Sequence, residues 1–178
     1  MAKEKRYVTN YIKSIDEQEV LLLFQAAAAE YHKEIWLTIT SILVYMGLRC
    51  SEITNLKWVD VLGDFDKFLI QDVKNHDVRE RIIPEKIKAQ LRTYEFSHRR
   101  FQRAGIYIFE PPKQSGSKNI KMNSTSIAVK FRSWRKKYDL GGHYFQRKDN
   151  ALLARITPHT LRHYYITKIF DESHLVTT

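Results

Sequence analysis

KEIWLTITSILVYMGLRCSEITNLKW, residues 33–58, decides how this chain folds. Lys33 to Met46 is apolar on nearly every side, and a helix with no polar face belongs in the middle of a fold. Gly47 follows where that helix must stop, because glycine adopts the left-handed C-terminal cap without steric cost. GLRCSEITNLKW then starts a short third helix, with Ser51 and Glu52 in its first turn. The junction carries a charged pair: Glu52, three residues after Arg49, can share its helical face and hold its guanidinium. Taken alone, R-x-x-E is ordinarily a surface ion pair at a helix junction.

Working outward, Ser14 or Asp16 is placed to cap a helix through EQEVLLLFQAAAAEYH (17–32), with Glu17 and Glu19 near its positive end. On the other side the period changes from helical to alternating. KFLIQDV and VRERII read as two strands around the polar turn KNHD, and Pro84 opens the helix EKIKAQLRTYEFSHRR (85–100). IYIFEPP reads as a short strand stopped by prolines, and PPKQSGSKN as a loop. Thr125 is expected to begin a helix through SIAVKFRSWRKKY, GGHYFQRKDN to be a loop, and a last helix to start near Pro158. The expected fold is mainly α with one small antiparallel β-sheet (α+β), in a single domain over residues 1–178.

Composition narrows the function. Thirty Lys and Arg against twenty Asp and Glu leave a formal charge of +10, which calls for a polyanionic partner, nucleic acid first. No apolar run approaches the length of a membrane span, MAKEKRY is followed by no signal-like segment, and no basic amphipathic helix offers a membrane face. A single cysteine, Cys50, excludes an internal disulfide and multi-cysteine zinc sites. No carboxylate cluster has the spacing of a metal-dependent nuclease.

Beyond Arg49 and Glu52, three places hold polar side chains of interest. Lys74 stands at the tip of the hairpin, where a lysine is ordinarily just solvated. Thr157-Pro158 supplies a cap and a first-turn proline to a helix whose opening carries His159, Arg162 and His163. His159 and Arg162 share a face there, a pairing that grips a phosphate, although a histidine packed at a helix start is the ordinary alternative. The remaining basic material is Arg79 and Arg81 in the hairpin, Arg99, Arg100 and Arg103 in RRFQR, and Arg132, Arg135 and Lys136 in FRSWRKKY. Aromatics lie between these charges, and contact with a phosphate backbone is the expected use.

MGLRCSEITNLKW, a hairpin lysine before RERIIPE, and TPHTLRHYYIT, in this order, resemble the catalytic domain of the tyrosine recombinases, the family of phage and archaeal-virus integrases and chromosome-dimer resolvases. YVTNYIKSIDEQEVLLLFQAA looks like that domain's first helix, so the resemblance covers nearly the whole chain. It implies site-specific DNA recombination, integration or excision, without metal or other cofactor. A tyrosine attacks the phosphodiester, a 3′-phosphotyrosine forms, and a 5′-hydroxyl reverses the step.

By that resemblance Arg49 and Arg162 stabilise the non-bridging oxygens, Lys74 protonates the departing 5′-oxygen, and His159 holds a phosphate oxygen or assists proton movement. Glu52 orients Arg49, and His163 supports. The partners implied are double-stranded DNA at an attachment site and other integrase protomers. The implied location is the cytoplasm, with the nucleoid. Two departures stand out: the hairpin is somewhat longer than is common, and only 178 − 162 = 16 residues follow Arg162. In the family a further helix and the nucleophilic tyrosine come later, and a separate helical DNA-binding domain comes earlier. The expectation is therefore a truncated catalytic domain with no nucleophile in the chain, inactive alone in cleavage; Tyr164 and Tyr165 read as core. The alternative is a non-catalytic DNA-binding factor that uses the same scaffold to occupy attachment sites.

Overall fold

A computed structural model describes residues 15–71, 77–98, 105–111, 120–140, 144–146, 152–154 and 156–175. Six helices are found there: α1 (Glu17–Ala28), α2 (Lys33–Met46), α3 (Cys50–Asn55), α4 (Glu85–His98), α5 (Ser124–Lys137) and α6 (Pro158–Leu175). Strands β1 (Val61–Leu62), β2 (Lys67–Gln71) and β3 (Val78–Ile82) form an antiparallel sheet in that order, and β4 (Tyr144–Gln146) pairs with β5 (Leu152–Ala154).

The apolar stretch occupies the centre, as its composition requires. Nine of the fourteen residues of α2 are buried, and α1, α4 and α6 pack around it. Three polar residues of this helix are buried with the rest: Thr38 bonds back to the Glu34 carbonyl, and Ser41 donates to Gln90 of α4 at 2.6 Å. The third is Thr40. Trp36 meets Trp134 of α5 edge to face at 5.7 Å. Each buried Ile, Leu, Val or Met side chain of α2 stabilises the fold by about 1.5 to 3 kcal/mol, so α2 organises its neighbours.

Asp16, not Ser14, is the described cap of α1. Its carboxylate accepts from the Glu19 amide while Glu19 accepts from the Asp16 amide, a reciprocal capping box. The helix stops at Ala28, four residues short of the expected His32, and a turn leads into α2. Helix α5 starts at Ser124, with Asn123 as its cap.

Three segments differ from expectation in their strands. Tyr107 makes only an isolated bridge to Lys57, so IYIFEPP is no strand; instead Ile108 and Phe109 are buried and Tyr94 donates to the Ile108 carbonyl. Part of the expected loop GGHYFQRKDN is strand β4, and a third strand, β1, extends the sheet. Strands of two or three residues carry too little alternation to be read from periodicity. The hairpin tip with Lys74, the run Arg99 to Arg103 and residues 112–119 of PPKQSGSKN lie outside the described residues.

Candidate active site at the junction of α2, α3 and α6

Gly47 ends α2 with φ +60°, and the turn it makes determines where the next groups go. Arg49 becomes the residue before α3, and its backbone N–H donates to Glu52 Oε2 at 2.6 Å. The Glu52 carboxylate therefore points back across the first turn, where its side chain is only 2% exposed. A buried carboxylate needs partners, and three guanidiniums supply them. Arg49 Nη1 stands 3.0 Å from Oε1, Arg79 Nη2 2.6 Å from the same oxygen, and Arg162 Nη1 3.7 Å from Oε2.

Arg162 arrives from the opposite end of the chain. Thr157 and Thr160 cap the start of α6 reciprocally, each hydroxyl accepting from the other residue's amide at 3.2 Å, with Pro158 at the first helical position. One turn on, Arg162 Nη1 donates to the Gly47 carbonyl at 2.6 Å. Tyr165, three residues later on the same face, lays its ring where a Gly47 Cβ would be. The absence of a side chain at residue 47 thus serves the turn and also the approach of α6. Burial first, and then repulsion from Arg49, Arg79 and Arg81, lower the pKa of Arg162 against the attraction of Glu52. A guanidinium stays charged under such pressure, so an anion bound here would relieve the repulsion.

Among the described residues, three guanidiniums share one carboxylate, so positive charge is in excess there. The outermost guanidinium, Arg49, is 46% exposed, so the cluster is open to solvent on that side. Such a fixed arrangement of fork-like donors fits a phosphate or another oxyanion.

His159 is exposed, and its described partner is His163, Nε2 to Nε2 at 3.0 Å. Tyr164 and Tyr165 are half-buried; Tyr164 packs against the core and accepts from Lys168 at 3.4 Å. On α5, Arg132 and Lys136 are exposed, whereas Arg135 is half-buried and donates to the Ile156 carbonyl at 3.3 Å. Arg81 is exposed beside the cluster. Lys74, Arg99, Arg100 and Arg103 fall outside the described residues. Among the described residues no group of three or more His, Cys, Asp or Glu side chains is arranged to hold a metal, and no helix is long and apolar enough to cross a membrane.

Sequence reasoning cast Arg79 as a backbone contact and overlooked its pairing with Glu52. The signal was present. Arg79 pairs with Ile70 and Arg81 with Phe68, and directly paired residues lie on one face of a sheet. Ile70 and Phe68 are buried, so the arginines share the face that the core residues of β2 use, Arg79 half-buried and Arg81 at the exposed margin, while Val78 and Ile82 are exposed. VRERI thus departs from the usual pattern, with its apolar residues exposed and Arg79 its least exposed side chain.

Solved structures share the fold that carries this cluster. The chain resembles XerA recombinase in fold, with a TM-score of 0.67 and 24% identity over 89% of this chain and 51% of that one. An integrase of transposon Tn1549, solved with circular intermediate DNA, aligns with a TM-score of 0.66 and 19% identity over 93% and 54%. A lambda integrase dimer bound to a COC′ core site aligns at 0.62 and 17% over 95% and 56%. The chain therefore spans about half the length of these solved relatives. No curated protein sequence matches significantly. The family model for the phage integrase family matches residues 13–174, and the chain, with the tyrosine-recombinase catalytic fold around its arginine cluster, belongs to that family.

Proposed function

We propose that this chain is the catalytic domain of a site-specific DNA recombinase, which cuts and rejoins duplex DNA at an attachment site through a 3′-phosphotyrosine. The observation that carries the reading is the convergence of Arg49, Arg79 and Arg162 on one buried carboxylate. When the phosphodiester is attacked, negative charge grows on its two non-bridging oxygens. Arg49 and Arg162 receive it as donors already in place, each worth about 3 kcal/mol of barrier. Glu52 takes no part in bond making and holds the guanidiniums in register. Lys74 gives its proton to the departing 5′-oxygen as general acid, a contribution of about 10²- to 10⁴-fold. His159, exposed at the helix start with its support His163, holds a phosphate oxygen or moves the proton of the attacking hydroxyl.

No metal or other cofactor enters the proposed reaction. Tyr164 and Tyr165 are not proposed as nucleophiles, because both pack beside Arg162 on the same helix. The partners are double-stranded DNA and further integrase protomers; relatives of this fold have been solved on DNA, one of them as a dimer. Arg81, Arg99, Arg100, Arg103, Arg132 and Lys136 add contacts to the DNA backbone.

The test is duplex DNA binding by this chain across a salt series, followed by a denaturing gel for a covalent adduct. The expected result is binding that falls steeply with salt, loses strength in Arg49→Ala and Arg162→Ala, and yields no adduct from this chain alone. Binding indifferent to salt and to both arginines would overturn the phosphate reading. An adduct formed by the chain alone would overturn the assignment of its tyrosines.

A further inference from the structure

His159 and His163 stand one turn apart at the start of α6, both exposed. Their Nε2 atoms are 3.0 Å apart and their rings meet edge to face, centroids 4.5 Å apart and planes at 79°. Two imidazoles hold this contact only when one nitrogen carries a proton and the other offers a lone pair; two N–H groups facing each other would repel. A metal ion with affinity for imidazole can stand in for that shared proton, taking a lone pair from each ring.

The distance fits. With metal–nitrogen bonds of about 2.0 to 2.1 Å, two nitrogens 3.0 Å apart subtend about 94° at the ion. That lies between the right angle of square-planar or octahedral neighbours and the wider tetrahedral angle. We propose that His159 and His163 form a two-ligand chelate for a divalent transition metal of the imidazole-binding class, Zn²⁺, Ni²⁺ or Cu²⁺, with water at the remaining positions. The surroundings select that class. Arg162 lies between the two histidines in sequence and Arg49 and Arg79 lie near it, so a hard cation held by charge alone is repelled. Imidazole–metal bonding survives such a field better than carboxylate or water coordination does.

The chelate also has a consequence that rests on the proposed function. A His159 whose Nε2 is bound to metal has neither proton nor lone pair for a phosphate, so metal occupancy removes it from the reaction. The metal site itself does not depend on that reading.

Calorimetric titration of this chain with Zn²⁺ in a non-chelating buffer tests the site, with Mg²⁺ as the hard-cation arm. The expected result is one Zn²⁺ bound per chain at the tightest site and no competition by Mg²⁺. Loss of either histidine should weaken that site by at least the roughly 10- to 100-fold that removal of an outer-shell partner costs. His159→Ala and His163→Ala supply that comparison, His32→Ala is the control that should change nothing, and His163→Asn serves if an alanine variant melts early. Histidine ring resonances in NMR should shift at 159 and 163 first. Zn²⁺ binding of unchanged strength in both variants, or none at millimolar metal, would overturn the proposal. If the chain bound Zn²⁺ through this pair yet bound no DNA, the chelate would stand and the recombinase reading would fall.

Discussion

Two basic regions of this molecule are built in opposite ways. At the junction of α2, α3 and α6, the half-buried Arg79 and Arg162 and the more exposed Arg49 surround one buried carboxylate, and residues from three distant parts of the chain must meet there. On α5, Arg132 and Lys136 point to solvent from a helix anchored by Ile127, Phe131 and Trp134 on its other face. In sequence the second region is the more conspicuous, since FRSWRKKY is dense with charge. The first is the one whose charges are organised, because burial makes each position depend on the others. Charge density alone therefore marks a surface, and mutual dependence marks a site.

That contrast can be tested by deletion, beginning with Glu52. Glu52→Ala leaves guanidiniums crowded without their counter-charge, and loss of one partner of a buried pair typically costs about 3 to 5 kcal/mol. Chemical denaturation should read that loss directly; a change below about 1 kcal/mol would mean that solvent already separates the arginines. Gly47→Ala comes next. A side chain in the left-handed region costs about 1 to 2 kcal/mol, and here it also overlaps the Tyr165 ring and disturbs the carbonyl that Arg162 uses. Thermal melts together with DNA binding check both effects, and an alanine variant as stable as the parent would show that α6 moves freely.

The α5 region should yield smaller numbers. Glu30 accepts from Trp134 Nε1 at 2.7 Å and from Lys130 at 2.9 Å, tying α5 to the turn after α1. Burial would raise its pKa, but those hydrogen bonds and the positive charges of Lys130 and Lys137 outweigh burial and lower it. Its folded-state pKa is thus depressed. The stability it contributes is present above the unfolded glutamate value, about 4.3, and is lost as pH falls through the folded value. Glu30→Gln should cost about 1 kcal/mol at neutral pH and converge with the parent in acid melts. Last, Arg132→Ala with Lys136→Ala should leave stability within about 0.5 kcal/mol. If both touch DNA, the salt slope of binding should flatten by about 0.9 for each charge removed.

Much of the site was legible because its parts are local. R-x-x-E across Arg49 and Glu52, the T-P start of α6, and the histidine and arginine that follow each lie within one helical turn, and helical spacing specifies what faces what. Arg79 was not read as part of the site, since its role depends on pairing β3 with β2 in one register and on that sheet then packing against α3. The Gly47 carbonyl was missed for a related reason. Glycine announced a helix end, but nothing local announced that Arg162, 115 residues away, would bond to that carbonyl.

The amino-acid sequence by itself determined a helix apolar enough to be central, the breaks around it, a strongly basic character, and motifs placed on named helical turns. These are properties of short stretches, where backbone propensity and side-chain spacing act within a few residues. Only the tertiary structure decided that Arg49, Arg79 and Arg162 share one carboxylate, that Arg135 turns inward to the Ile156 carbonyl while Arg132 stays in water, and that Tyr165 fills the space above Gly47. Those outcomes depend on which desolvated groups find partners, and that is settled when helices from distant parts of the chain close on one another.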